Sequence, residues 1–346
     1  MKIIDLRSDT VTLPTQEMRQ AIYNADLGDD VYREDPTTNQ LEKMAAERMG
    51  KESALMVVSG TMGNLVSLLI HCKRGEEVIL GNRSHTFVYE AGGMSALGGI
   101  HPRTIINQPD GTMRLDDIEL AIRSDNIHFP RTRLICLENT HNLCGGTALK
   151  VQYMEKVADL ARKHSLQVHL DGARIFNAAI ALGVDVKEIT RHVDSMSFCL
   201  SKGLAAPVGS LICGSSNFIA EARRNRKVLG GGMRQCGIIA AAGIIALEQM
   251  VERLAEDHAN ARQLAEGIAE IPQLSLDLDK VQTNIVYFNL NSEKITTGKL
   301  VQQLANEGIK ISFSESTRLR AVTHYGINSK DIDFTLKVLQ KNMKEI

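Results

Sequence analysis

Val168-His169-Leu170-Asp171-Gly172-Ala173-Arg174 and, further along, Met196-Ser197-Phe198-Cys199-Leu200-Ser201-Lys202-Gly203 decide how this chain folds. Each begins as an apolar run that fits a buried strand and ends in residues that packing alone does not ask for. Around them strand and helix patterns alternate. Leu134-Ile135-Cys136-Leu137 predicts a strand that stops at Glu138-Asn139-Thr140-His141-Asn142. From Gln152 to His164, Met154, Val157, Ala158 and Ala161 fall at helical spacing. Val168-His169-Leu170 is the next strand, and Ser195 to Leu200 another after an intervening helix. Such repetition predicts an α/β fold with a mostly parallel sheet and helices on both faces. Charged groups at the carboxyl ends of such strands stand where open α/β sheets build their sites.

The same patterns extend outward. Ala54-Leu55-Met56-Val57-Val58 runs into Ser59-Gly60-Thr61-Met62-Gly63-Asn64 and then a helical pattern. From Leu247 to Ile271 one long amphipathic helix is expected, with Met250, Val251, Leu254, Ala261, Leu264 and Ile268 on its inner face. Beyond it, Ile285-Val286-Tyr287-Phe288, a helix over Lys299 to Asn306, Ile309-Lys310-Ile311, Leu319-Arg320-Ala321-Val322 and a last helix read as a two-layer α+β unit. The division expected is a large α/β domain over residues 1–250, N-terminal segment included, and a small C-terminal α+β domain over residues 251–346.

Composition narrows the function. A chain of 346 residues can bury a large core, and a net charge of -1 leaves no electrostatic footprint for nucleic acid or an anionic membrane. The charged N-terminus lacks the apolar core of a signal peptide, and the longest apolar run, Gly237 to Leu247, is too short to span a bilayer. The six cysteines are dispersed, with no C-x-x-C pair, which fits a reducing cytoplasm and argues against a disulfide framework or a zinc site. No H-E-x-x-H occurs, and His164 and His169 straddle a helix-to-strand junction, so no metal is expected.

A strand-end aspartate often serves only as a helix cap, and a strand-end lysine is often merely solvated. Asp171 with Arg174 and Lys202, on neighbouring strands of one sheet, favour a site over either. A lysine amine, a carboxylate and a guanidinium in that arrangement suit pyridoxal 5′-phosphate. The amine forms a Schiff base, the carboxylate keeps the pyridine nitrogen protonated, and the arginine faces the phenolate oxygen. Ser59-Gly60-Thr61 is an ordinary helix cap or, with free N–H groups and small residues, an anion site. Neither G-x-x-x-x-G-K-[ST] nor G-x-G-x-x-G is present, which weighs against a P-loop and a nicotinamide dehydrogenase. His85, after the strand Val78-Ile79-Leu80, could stack on a planar ring or act as acid–base, though a lone histidine is more often structural. Arg234, in Gly230-Gly231-Gly232-Met233-Arg234, is suited to clamp a phosphate.

Together these residues resemble a family, the low-specificity L-threonine aldolases of fold type I (aspartate-aminotransferase-like) pyridoxal-phosphate enzymes. The resemblance covers nearly the whole chain. It runs through Asp5-Leu6-Arg7-Ser8-Asp9-Thr10-Val11-Thr12, Gly28-Asp29-Asp30-Val31-Tyr32, Glu34-Asp35-Pro36, Ser59-Gly60-Thr61-Met62-Gly63-Asn64, Glu138-Asn139-Thr140-His141-Asn142, His169-Leu170-Asp171-Gly172-Ala173-Arg174, Ser201-Lys202-Gly203-Leu204 and Gly230-Gly231-Gly232-Met233-Arg234-Gln235.

By that resemblance Lys202 is the Schiff-base lysine, Asp171 and Arg174 partner the pyridine nitrogen and phenolate oxygen, and His85 stacks on the ring. Gly60 and Thr61 cradle the phosphate, with Arg234 as a phosphate ligand from a neighbouring subunit. Ser8 and Arg320 hold the substrate carboxylate, and His128, in Ile127-His128-Phe129, lies near the substrate hydroxyl. Arg318, on the same strand face as Arg320, is its rival; the flanking motif favours Arg320. His85, His128 and an ordered water all stay open as acceptor of the hydroxyl proton. The implied activity is retro-aldol cleavage of L-threonine or L-allo-threonine in a cytoplasmic homo-oligomer, a dimer at least and a tetramer by expectation. Its rivals are a β-eliminating lyase or aminotransferase on this fold, and a catalytically silent binding protein.

Overall fold

The computed structural model describes residues 2–313 and 317–344. In chain order its strands are β1 (Ile4–Asp5), β2 (Ser53–Val57), β3 (Glu77–Gly81), β4 (His101–Ile105), β5 (Thr132–Glu138), β6 (Gln167–Asp171) and β7 (Ser195–Cys199). Then follow β8 (Ser210–Gly214), β9 (Leu274–Ser275), β10 (Ile285–Leu290), β11 (Ile309–Lys310), β12 (Ser312–Phe313) and β13 (Arg318–Val322). Seven of these form the central sheet in the order β2-β8-β7-β6-β5-β3-β4. The adjacent pairs from β4 through β7 are parallel, and β8 runs antiparallel to both neighbours. Leu134, Ile135, Cys136 and Leu137 are all buried, as a strand covered on both faces requires.

The covering helices follow the sequence pattern. Val151–Lys163 turns Met154, Val157, Ala158 and Ala161 inward. Gly60–His71 lies close on the sheet because Gly63 has no side chain, and a Cβ there would stand 3.2 Å from Ser197 Cβ.

A second core lies beneath a four-stranded antiparallel sheet, β12-β13-β10-β9. Phe288, Leu290, Leu319 and Ala321 from this sheet pack with Leu264 and Ile268, Leu300 and Leu304, and Ile332 and Leu339 from three helices.

Two expectations change here. The N-terminal segment, read with the large domain, sends β1 into a parallel pair with β11, and Ile4 and Leu6 join the second core. The expected single helix from Leu247 to Ile271 is two, Gly237–Gln249 and Leu254–Ala269. Met250 and Val251 keep their inward positions at the break, buried in the first core. Leu254 belongs to that core, whereas Ala261, Leu264 and Ile268 belong to the second, so the chain turns between two surfaces. Periodicity reports the buried face and misses the turn.

Candidate active site

Parallel register brings the carboxyl ends of the middle strands to one edge. Glu138, last in β5, is the register partner of Asp171, last in β6, and Asp171 is the partner of Ser197 in β7. The chain leaving β7 reaches Lys202 at this same edge. The lysine's half-buried segment is pinned through its carbonyl, which accepts from Thr12 Oγ1 at 3.0 Å and from Ala205 N at 2.9 Å.

Asp171 is 2% exposed. Its carboxylate accepts from Asn64 Nδ2 at 2.9 Å and from the Ala173 amide at 3.1 Å. His85 opens the short helix His85–Val88 beside it. The His85 backbone N–H donates to Glu138 Oε2 at 2.7 Å, and its Nδ1 lies 2.9 Å from Glu90 Oε1. Burial resists charging of this imidazole, but the hydrogen bond to Glu90 and the nearby Asp171 carboxylate outweigh it and raise its pKa.

The helix Gly60–His71 aims its N-terminus at the same edge. Ser59 Oγ caps it by accepting from Met62 N at 3.1 Å, leaving the earlier N–H groups of Gly60 and Thr61 outside the intrahelical pattern. A Cβ on Gly60 would meet Cys199 Sγ at 2.9 Å, so glycine is what lets the helix end sit against β7.

Arg174, 7% exposed at the end of β6, donates Nε and Nη2 to the two oxygens of Asp9 at 2.6 and 2.7 Å. Arg174 drives the Asp9 carboxyl well below the ordinary range against the opposing effect of burial. Arg320, on β13, donates to the Arg7 carbonyl at 3.2 Å and to Asn142 Oδ1 at 2.9 Å. It therefore stands next to Ser8, whose Oγ accepts from Thr10 N at 3.2 Å, and its own Nε is buried without a partner. Arg318 instead lies over the Tyr287 ring, 3.9 Å from its centre.

Lys202, Asp171, Arg174, His85, Gly60, Thr61, Ser8 and Arg320 thus gather where the sheet edge meets the second core. Two expected residues do not join them. His128 is exposed in the loop entering β5, at the far end of a strand about 20 Å long. Arg234 is also exposed and pairs with Asp29 of its own chain at 3.0 Å.

The structure adds residues that the sequence reading did not single out as ligands: Asn64, Glu90, Glu138, Asp9 and His141. Asn64 falls one turn after Gly60, on the helix face toward the sheet, and that spacing was the available signal. Both ring nitrogens of His141 are buried, and neither lies within hydrogen-bond distance of an oxygen or nitrogen among the described residues. Burial alone would lower the His141 pKa, yet the Glu138 carboxylate 3.8 Å away raises it to about 9.

This donor set fits pyridoxal 5′-phosphate. It offers the Lys202 amine at the sheet edge, the buried Asp171 carboxylate, a helix N-terminus open to an anion, and a buried guanidinium nitrogen, Arg320 Nε, without a hydrogen-bond partner.

Comparison with known proteins agrees. A family model described as beta-eliminating lyase matches residues 5–291. A probable low-specificity L-threonine aldolase 2 of Arabidopsis thaliana is 50% identical, covering 99% of this chain and 97% of its own length. The low specificity L-threonine aldolase of Escherichia coli K12 is 46% identical over 95% of this chain and 96% of its own. In fold, the chain is similar to the threonine aldolase of Leishmania major, with a TM-score of 0.83 at 19% identity, covering 98% of this chain and 99% of that one.

Proposed function

This chain belongs to the beta-eliminating lyase family, with low-specificity L-threonine aldolases among its full-length relatives, and from that premise we propose how its residues carry out the cleavage. It is a pyridoxal-phosphate lyase that cleaves L-threonine, L-allo-threonine and related β-hydroxy-α-amino acids to glycine and an aldehyde such as acetaldehyde. The observation that carries the residue assignment is the meeting of Asp171, Lys202 and His85 at one sheet edge with Arg320 facing them from the second core.

Lys202 would hold pyridoxal 5′-phosphate between turnovers, and the cofactor, once joined to the substrate's amino group with the lysine amine set free, would supply the electron sink for the pair left on Cα. Asp171 holds a proton at the pyridine nitrogen; Asn64 and the Ala173 amide keep its carboxylate aimed. Arg174, fixed by Asp9, faces the phenolate oxygen. Gly60 and Thr61 present backbone N–H groups to the phosphate.

Ser8 and Arg320 bind the substrate carboxylate. Anchoring that group would fix the orientation of the Cα–Cβ bond and so select it for cleavage over the other bonds to Cα. His85 accepts the β-hydroxyl proton, because of the imidazoles at the Asp171 edge with a carboxylate beside them it is the one partly open to a substrate, whereas His141 is buried.

Arg234 and His128 act on a neighbouring subunit's site; in support, both are exposed, Arg234 pairs with Asp29 in its own chain, and His128 lies in the loop entering β5, at the end opposite Glu138. That arrangement calls for a homo-oligomer, a dimer at least, with a tetramer as the full assembly. All six cysteines are buried and free, which supports a cytoplasmic location. Among the described residues no helix is long and apolar enough to cross a membrane.

Separate incubation of the purified holoenzyme with L-threonine and L-allo-threonine tests the activity. Acetaldehyde and glycine should form in equal amounts without a keto-acid acceptor. Release of ammonia and a keto acid instead would make the chain an eliminating lyase.

A further inference from the structure

Behind His85 lies a line of buried polar groups whose hydrogen-bond directions are all determined. Asn64, 1% exposed, donates Nδ2 to Glu90 Oε1 at 2.8 Å and to Asp171 Oδ2 at 2.9 Å. Its Oδ1 accepts from Ser197 Oγ at 2.7 Å and lies 3.3 Å from His169 Nε2. With carboxylates on one side and donors on the other, the amide has one orientation. His169 then carries its proton on Nε2, and its Nδ1 accepts from Ser195 Oγ at 2.9 Å. Ser195 Oγ in turn accepts from His71 Nε2 at 2.6 Å. Burial lowers the pKa of His71 to about 3 and of His169 to about 4, so both stay neutral, as this pattern requires.

The line ends at the active site. Glu90 Oε1 lies 2.9 Å from His85 Nδ1 and Glu90 is 6% exposed. A carboxylate offers only lone pairs, so this contact needs the imidazole proton on Nδ1 and leaves Nε2 as the accepting nitrogen. The ligand atoms of His85, Glu90 and Asp171 lie within 4.8 Å of one another. That grouping invites a cation, but the Asn64 amide already bridges the two carboxylates with one hydrogen each.

We propose that Glu90, held by Asn64, is a positioning residue that fixes the tautomer of His85, placing its proton on Nδ1 and freeing Nε2 to take the substrate's β-hydroxyl proton. The proposal rests on the reading of His85 as the proton acceptor. The groups that face His85 are Glu90 from the following loop, Asp171 from β6 and Lys202 after β7, with Glu138 of β5 on its backbone N–H and the Tyr89 ring 5.6 Å away. Glu90 and Asp171 favour the imidazolium, while burial and Lys202 oppose it.

The test follows the imidazole itself. In holoenzyme carrying 15N-histidine, with the His85 signal assigned by its loss in His85→Asn, wild-type His85 should be protonated at Nδ1. Glu90→Ala should release the ring into a mixture of tautomers. Glu90→Gln, which keeps the shape and removes the charge, should lower the His85 titration by about one pH unit. Neutral His85 is the acceptor, so the acid limb of the kcat/KM profile should move to lower pH by the same amount. Glu90→Asp should restore part of both shifts.

Wild-type His85 protonated at Nε2 would overturn the proposal with no variant needed, and so would a tautomer that ignores Glu90→Ala. A titration that moves in Glu90→Gln while the acid limb stays put leaves the hold of Glu90 on the ring standing. It overturns instead the reading of His85 as the proton acceptor.

Discussion

Arg174 and Asp9 are joined at two points, Nε to Oδ2 at 2.6 Å and Nη2 to Oδ1 at 2.7 Å, with both side chains withdrawn from solvent. Asp9 comes from the N-terminal segment and Arg174 from the end of β6. Asn284 adds a third segment by donating to Asp9 Oδ2 at 3.2 Å. The pair therefore fixes the guanidinium of Arg174 and ties the two cores together.

Asp9→Asn should strand the buried guanidinium and cost about 3–5 kcal/mol in urea unfolding. Replacing both partners, Asp9→Leu with Arg174→Met, should recover most of that stability while activity stays lost. The pH dependence has a defined sign. The folded-state pKa of Asp9 is depressed, so its contribution is complete above the unfolded carboxyl value and disappears as pH falls toward the folded one. Stability measured from pH 5 downward should fall less steeply in Asp9→Asn than in wild type. Equal slopes would mean that the pair contributes nothing to folding.

Lys202→Ala should abolish the yellow, borohydride-reducible chromophore and nearly all turnover. Lys202 is the lysine that the register of β6 and β7 brings to the Asp171 edge. A variant that kept both colour and activity would remove Lys202 from its role.

The sheet and its edge were legible in the sequence because each parallel strand buried on both faces is a short apolar run, and its first polar residues mark where it ends. Asp171, Lys202 and Glu138 all stand at such ends. Less legible was everything that depends on which way a chain turns after its pattern stops. Met250 and Val251 keep their apolar positions through the break between two helices. Ile4 and Leu6 carry no mark of the core they enter. Asn64 and Glu90 were invisible as partners, because a polar residue, whether on a helix face like Asn64 or in a loop like Glu90, shows its character and not the group it meets across the fold. His128 and Arg234 carried motif signals in the sequence, yet in the fold both are exposed and neither joins the residues gathered at the Asp171 edge.

Arg320 should bind the substrate carboxylate in ground and transition states alike and also set the angle of the scissile bond. Arg320→Ala should therefore raise KM and lower kcat together. A charge-assisted contact of this kind is worth about 1.5–3 kcal/mol, so kcat/KM should fall on the order of tenfold to a hundredfold. Arg320→Lys should recover only part, because an ammonium cannot reproduce the planar fork. Arg318, stacked on Tyr287, should tolerate alanine far better. Steady-state kinetics with L-threonine decide between them, and a crippled Arg318→Ala beside a near-normal Arg320→Ala would exchange their roles.

Subunit mixing tests whether Arg234 works across an interface. Its guanidinium is exposed and tied to Asp29, just after the Gly230-Gly231-Gly232 turn. If it serves the neighbouring site, Arg234→Ala and Lys202→Ala homo-oligomers should each be impaired, one by weak cofactor retention and the other by loss of attachment. Unfolded and refolded together, they should form mixed dimers in which one of the two sites has both wild-type residues. Random pairing of equal amounts then yields about a quarter of all sites intact. Activity and tightly held chromophore should both rise above the average of the parents toward that level. If Arg234 acted within its own chain, every mixed site would stay damaged and mixing would restore nothing.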